Sequence, residues 1–157
     1  KDFPNYMINE NGDIYTKKYK RLLTPQIGNN GYKRVKLSIN NKSYDKTIHR
    51  LLGLQYLPNP DNKPCIDHIN RNKIDNCLCN LRWVSYSENC KNVNVKKNTS
   101  SKFVGVRKTK DKIKKPYRVE TTYNRKKYHV GYFETEEEGH KAYKQFNKEH
   151  FNIEIFD

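Results

Sequence analysis

A chain of 157 residues has room for one ordinary domain or for two or three small ones. Only 34% of the residues are apolar and 31% are charged, which argues against a single large core. Lysine and arginine outnumber aspartate and glutamate by 32 to 17, a formal charge of +15 that favours a polyanionic partner, because each neutralised phosphate releases condensed counterions. A merely basic soluble protein or an RNA or ribosome binder would share that charge. There is no run long and apolar enough to span a bilayer and no signal-peptide core, so an intracellular protein with no membrane partner is expected. The chain starts at Lys1 rather than Met, as a fragment or a trimmed chain would.

From the N-terminus, FPNYMINENGDIYT alternates apolar and polar residues around Asn11-Gly12. An Asn-Gly pair enters positive φ readily, which predicts a hairpin with strands near Tyr6 to Ile8 and Asp13 to Thr16. Lys17-Lys18 and Lys20-Arg21 follow, as a solvated turn or as a phosphate clamp. In YKRVKLSI, period two puts Val35, Leu37 and Ile39 on one strand face and Arg34, Lys36 and Ser38 on the other. Asn40-Asn41 then turns the chain into a second hairpin whose polar face is cationic. Ile48, Leu51, Leu52 and Gln55 recur at helical spacing, with Thr47 placed to cap and Pro58 and Pro60 placed to stop the helix near Leu57. His49 and Arg50 near its start have a packing role by default, with a contact to substrate phosphate as the second reading.

The stretch CIDHINRNKIDNCLCNLRWVSYSENCKN, Cys65 to Asn92, carries the chemistry. A neutral imidazole such as His68 can take a proton from water near pH 7, and a divalent cation can stabilise developing charge and assist a leaving oxygen. Asp67 offers a carboxylate oxygen and Asn89 an amide oxygen, hard donors suited to one Mg2+ or Mn2+. Asn80 could hold His68 in the tautomer that such chemistry needs. Cys65 to Ile69 and Leu81 to Ser85 are predicted strands, Arg71 to Asn80 a polar loop, and Ser87 to Asn92 a helix with Ser87 near its cap. Trp83 fills the small core beneath. An Asp-His pair alone fits a hydrogen-bonded loop equally well. Cys65, Cys77, Cys79 and Cys90 contain no C-x-x-C pair, so reduced thiols rather than a structural zinc are expected.

Lys91 to Ser101, KNVNVKKNTSS, lacks hydrophobic periodicity and is the best boundary. Beyond it residues 96 to 130 hold 13 basic and 2 acidic groups, whereas 131 to 157 hold 3 and 7, so a cationic segment precedes an acidic one. The first contains three strand-like runs, FVGVRKT, YRVETTY and KKYHVGYF. The second opens on Thr135 followed by three glutamates, a capped helix start, and continues with Ala142, Tyr143, Phe146 and His150 as one stripe that would pack on the sheet.

Asp67 to Asn76, Asn80 to Val84 and Ser85 to Asn89 together resemble the HNH (ββα-metal) endonucleases of the homing branch in order, spacing and residue class. That resemblance implies His68 as general base, Asp67 and Asn89 as metal ligands and Asn80 as the residue positioning His68. Tyr6 to Tyr15, Asn30 to Leu37 and His49 to Leu51 are similar to the NUMOD4-like module that commonly precedes the motif. Gly105 to Arg107, Glu120, Gly131 to Phe133 and, partially, Gly139 to Tyr143 look like the landmarks of an AP2 DNA-binding domain. The AP2 family reads the major groove with a three-stranded sheet. On alternation, Arg107, Thr109, Arg118, Glu120, Thr122, Lys127 and His129 share the outward face, although the family often has Arg in place of Thr122 and Trp in place of His129.

The expected fold is therefore α+β. A hairpin module with a helix (1–57) and a ββα-metal nuclease core (58–95) are joined by a linker (96–101) to a three-stranded antiparallel sheet packed on one helix (102–157). The expected function is DNA endonuclease of the HNH homing type, acting on double-stranded DNA as a monomer and nicking one strand, with Lys17, Lys18, Arg34 and Lys36 as further DNA contacts. The alternative is a non-catalytic AP2-like transcription regulator.

Overall fold

The computed structural model describes residues 3–93, 99–110 and 114–156, and the chain divides into two compact units, 1–84 and 85–157. The division falls inside the Cys65 to Asn92 stretch. Half of the expected 96–101 linker, residues 96–98, lies outside the described residues. Small antiparallel sheets and a few helices make up both units, an α+β fold.

In the N-terminal unit, β1 (Tyr6–Ile8), β2 (Ile14–Thr16) and β3 (Arg21–Leu23) form a meander. The first turn is a five-residue loop rather than a tight Asn-Gly turn. Asn9 closes it through bonds of 3.0 and 2.8 Å between its side-chain amide and the Asp13 carboxylate and N–H. Gly12 takes the positive φ, 84°, and a Cβ there would sit 2.7 Å from Ile48, so the loop can approach the helix only as glycine. Lys17 and Lys18 are exposed in the turn between β2 and β3.

A second sheet has the order β4 (Gln26–Ile27), β5 (Lys33–Ile39), β6 (Lys42–Thr47). Asn40 and Asn41 both adopt positive φ, at 49° and 58°, as a two-residue hairpin turn matched to strand twist requires. Helix α1 (Ile48–Tyr56) follows directly, with Thr47 at its N-cap position. The Thr47 side chain makes no capping bond, so the expected cap is one of position only. Ile14, Val35, Leu37, Ile48, Leu52, Ile66 and Leu81 form one core joining both sheets, α1 and the hairpin β7 (Cys65–His68) with β8 (Leu81–Val84). A Cβ at Gly53 would overlap Ile66, and that close approach presses α1 onto β7.

In the C-terminal unit, helix α2 (Tyr86–Asn89) is capped by Ser85, two residues before the expected Ser87. Ser85 accepts from Glu88 N–H while the Glu88 carboxylate accepts from Ser85 N–H, a capping box that only Ser85 can form with that glutamate. Strands β9 (Val106–Lys108), β10 (Tyr117–Tyr123) and β11 (Lys126–Phe133) form an antiparallel sheet with β10 central. Helix α3 (Glu136–Phe151) packs on its back, capped by a second box between Thr135 and Glu138. Its buried line is Gly139, Tyr143 and Asn147, not the expected stripe through His150. Gly139 lets the helix sit close to Val119, whereas His150 is exposed and stacks on Phe146 at 4.0 Å.

Candidate active site

The hairpin β7–β8 sets the candidate centre. Antiparallel register puts Asp67 opposite Arg82, and the guanidinium donates to Asp67 Oδ2 through Nε at 3.1 Å and Nη2 at 2.9 Å. Asp67 is 7% exposed, so its charge needs a counter-charge, and Arg82 supplies one. His68, the last residue of β7, is 4% exposed. Its Nε2 lies 3.0 Å from Oδ1 of Asn76, and its ring packs 5.0 Å from His49 and 5.7 Å from Tyr32.

The loop between the strands is ordered by its own amides. Asn80, also buried, donates to Asn70 Oδ1 and to the Asp75 carbonyl, each at 2.9 Å, while its Oδ1 accepts from Asn70 N–H at 2.9 Å. Asn70 donates onward to Asp75 Oδ2 at 2.7 Å. Asn80 therefore braces the loop that carries Asn76, and Asn76 is the amide at the imidazole. The Asn80 carbonyl also accepts from Ile69 N–H at 2.9 Å, tying the residue after His68 to the same brace.

Three residues stand around His68 that the sequence did not assign to the catalytic group, His49 having only a phosphate contact as its second reading. His49 on α1 packs against Tyr32 with ring centres 4.7 Å apart and planes tilted by 45°, and its buried Nδ1 has no hydrogen-bond partner. Burial first, then the neighbouring His68 and Arg50, push its pKa down to about 4, so it is neutral at pH 7. Burial and the Asp67 charge push the Tyr32 phenol up. Lys73 reaches from the loop to the Asn30 carbonyl at 3.1 Å, with its ammonium 5.0 Å from the Tyr32 ring. Tyr32 and His49 both stand in the matched stretches Asn30 to Leu37 and His49 to Leu51, which is the signal that could have marked them. Trp83 donates to the Leu57 carbonyl at 3.1 Å and packs on the core, with the Arg50 guanidinium 4.8 Å from its ring centre.

Asn89 ends α2 in the C-terminal unit and is exposed. Among the described residues no group of three or more His, Cys, Asp and Glu side chains is placed to hold a metal ion. The Asp67 carboxylate, although paired with Arg82, and nearby amide oxygens are hard donors of the kind that suit a divalent cation. The four cysteines form no disulfide with one another, and Cys77, Cys79 and Cys90 are exposed.

On the C-terminal sheet, Arg107 stands opposite Arg118, Glu120 opposite His129, and Thr122 opposite Lys127. Directly opposed residues share a face, and Arg107, Arg118, Thr122, Lys127 and His129 are all exposed on it. An Arg118–Glu120 ion pair bridges two positions along β10. Thr109 lies just beyond β9 and turns its hydroxyl to the Pro116 carbonyl at 3.1 Å. In the N-terminal unit Lys36 is exposed, while Arg34 is paired with Asp45 at 2.8 Å, so part of that cationic face is neutralised within the protein.

No protein-family model matches the chain. It is 38% identical over 85 residues to the uncharacterized HNH endonuclease L245 of Acanthamoeba polyphaga mimivirus, covering 54% of this chain and 26% of that protein. It is 31% identical over 88 residues to the DNA endonuclease I-HmuI of Bacillus phage SP01, covering 56% and 51%. With the H-N-H endonuclease F-TflII of Escherichia phage T5 it shares 34% identity over 82 residues, covering 51% and 42%. Its fold is similar to a structure of DNA binding and cleavage by the HNH homing endonuclease I-HmuI, with a TM-score of 0.50, 30% identity and coverage of 54% of this chain and 51% of that one.

The chain is similar to HNH endonucleases. It spans about half the length, or less, of the curated relatives it matches. The HNH resemblance gives the Asp67–His68 pair a chemical context that a hydrogen-bonded loop alone would lack.

Proposed function

We propose that the chain is a DNA endonuclease of the HNH homing type that nicks one strand of double-stranded DNA as a monomer. The observation that carries this reading is the buried Asp67–His68 pair, with Asn76 at the imidazole and Asn80 bracing the loop, in a chain similar to HNH endonucleases.

His68 is the general base. Asn76 Oδ1 holds the ring at Nε2, and an imidazole is the side chain suited to take a proton from the attacking water near pH 7. Asn80 is a positioning residue that acts through the loop. Asp67 and Asn89 are the proposed oxygen ligands of one divalent ion, Mg2+ or Mn2+. That ion, when bound, would stabilise negative charge at the phosphate and ease departure of the leaving oxygen. Arg82 limits charge repulsion between Asp67 and an incoming phosphate. Arg107, Thr109, Arg118, Glu120, Thr122, Lys127 and His129 form the AP2-like reading face, and Lys17, Lys18, Arg34 and Lys36 contact the phosphate backbone.

Nicking of supercoiled plasmid in Mg2+ or Mn2+ tests the reading. His68→Ala is expected to abolish nicking while duplex binding persists. Binding without cleavage by the parent chain would favour the transcription-regulator reading, and a His68→Ala variant that cuts like the parent would remove the assigned base.

A further inference from the structure

Lys91 stands in the stretch that composition marks as a boundary, yet it is 6% exposed. Its ammonium donates to Thr121 Oγ1 at 2.7 Å, to Asn147 Oδ1 at 2.7 Å and to the Thr122 carbonyl at 3.1 Å. Three protons meet three oxygens, the arrangement that makes a buried ammonium tolerable. Burial pushes its pKa down to about 8, so it remains largely charged at pH 7. The rings of Tyr143 and Phe151 each lie 5.8 Å from the nitrogen, within range of a cation–π attraction.

The partners belong to the interior of the C-terminal unit. Asn147 on α3 is fully buried and donates to the Tyr143 carbonyl at 2.7 Å, while Thr121, at the centre of β10, donates its own hydroxyl proton to Asn147 at 2.9 Å. Every polar atom is thereby oriented, so Lys91 can enter in one geometry. On the main chain Lys91 N–H bonds the Glu88 carbonyl at 3.0 Å, and Ser87 Oγ lies 3.2 Å from Asn124 Oδ1 in the β10–β11 turn. A four-residue helix cannot sustain itself, so α2 depends on such anchors.

We propose that Lys91 is a positioning residue, whose buried ammonium latches α2, and with it Asn89, to β10 and α3 so that the sheet reading DNA also fixes the metal-ligand helix. The catalytic consequence rests on the nuclease reading above, whereas the latch itself does not. Thr122, whose carbonyl accepts from Lys91, is also an outward residue of the proposed reading face, so one strand serves both tasks.

Amide hydrogen exchange on the full chain tests the latch. In Lys91→Met the amides of Asn89 and Cys90, bonded to Ser85 and Tyr86 carbonyls, should exchange at least about tenfold faster, while β10 and α3 keep their protection. Unchanged protection at α2, or an equal loss throughout the C-terminal unit, would overturn the proposal. Should Lys91→Met not fold, Thr121→Val keeps the β-branched shape and removes one acceptor, and should give the same local loss in smaller degree. On plasmid, Lys91→Met should lower kcat at least about tenfold with duplex affinity within about twofold of the parent. Parent-like kcat alongside a loosened α2 would sink the positioning role. A parent chain that never cleaves would sink the nuclease reading, with hydrogen exchange still deciding the latch.

Discussion

His68 Nε2 is held 3.0 Å from Asn76 Oδ1, and Asn76 sits on a loop whose brace is Asn80. The imidazole is thus oriented by one amide directly and by another at one remove. Replacing Asn76 with alanine removes that orienting contact from the ring. Nicking should fall about 10- to 100-fold, the range seen when a histidine loses its orienting partner. Duplex affinity should change little, because the Asn76 side chain is spent on His68 within the protein. Plasmid nicking beside a DNA-binding titration measures both.

Asn80→Ala should behave differently. It removes three bonds at once and leaves Asn70 N–H and the Asp75 carbonyl without their partner in a part-buried loop. A loss of about 1–3 kcal/mol is expected, together with reduced cleavage. Urea denaturation should show it as a lower midpoint at unchanged slope. A variant as stable as the parent would mean that the loop stands without its brace.

The contrast between those two asparagines shows what the sequence could and could not convey. Strand alternation and turn chemistry revealed β5, β6, the Asn40-Asn41 turn and α1, because each is a local property of the chain. Motif spacing brought Asp67, His68 and Asn80 into view. Which amide touches the imidazole depends on the path of an eleven-residue polar loop, Asn70 to Asn80, that has no periodicity to read. Lys91 was hidden for a related reason: a lysine among asparagines reads as solvent-exposed, and only the tertiary meeting of Thr121 and Asn147 gives it a buried place. His150 erred the opposite way, because helical spacing put it in line while the real buried line runs through Gly139 and Asn147.

His49 should write a pH dependence into the N-terminal unit. Its folded pKa of about 4 lies below the ordinary 6.5, so the unfolded chain binds the proton first as pH falls. The stability it contributes is complete above pH 6.5 and is lost progressively toward pH 4, by about 1–2 kcal/mol after allowance for its partial exposure. His49→Gln keeps a polar side chain of similar reach without a titrating group, and should flatten the melting-temperature profile between those limits. An unchanged slope would assign the acid sensitivity to other groups.

Arg107 offers a separate test of the C-terminal sheet, because its proposed role is in binding rather than cleavage. It lies opposite Arg118, but Arg118 spends part of its charge on Glu120. Arg107→Ala should therefore weaken duplex binding more than Arg118→Ala, which removes a cation already paired within the protein. If Arg107 meets a phosphate, the slope of log affinity against log salt should shrink by about one and the loss should be uniform across sequences. If it reaches a guanine edge, the slope should change less and the loss should concentrate on one base position, at about 1–3 kcal/mol. Binding isotherms at several salt concentrations on two unrelated duplexes separate these outcomes. Parent-like affinity at every salt concentration would remove Arg107 from the reading face.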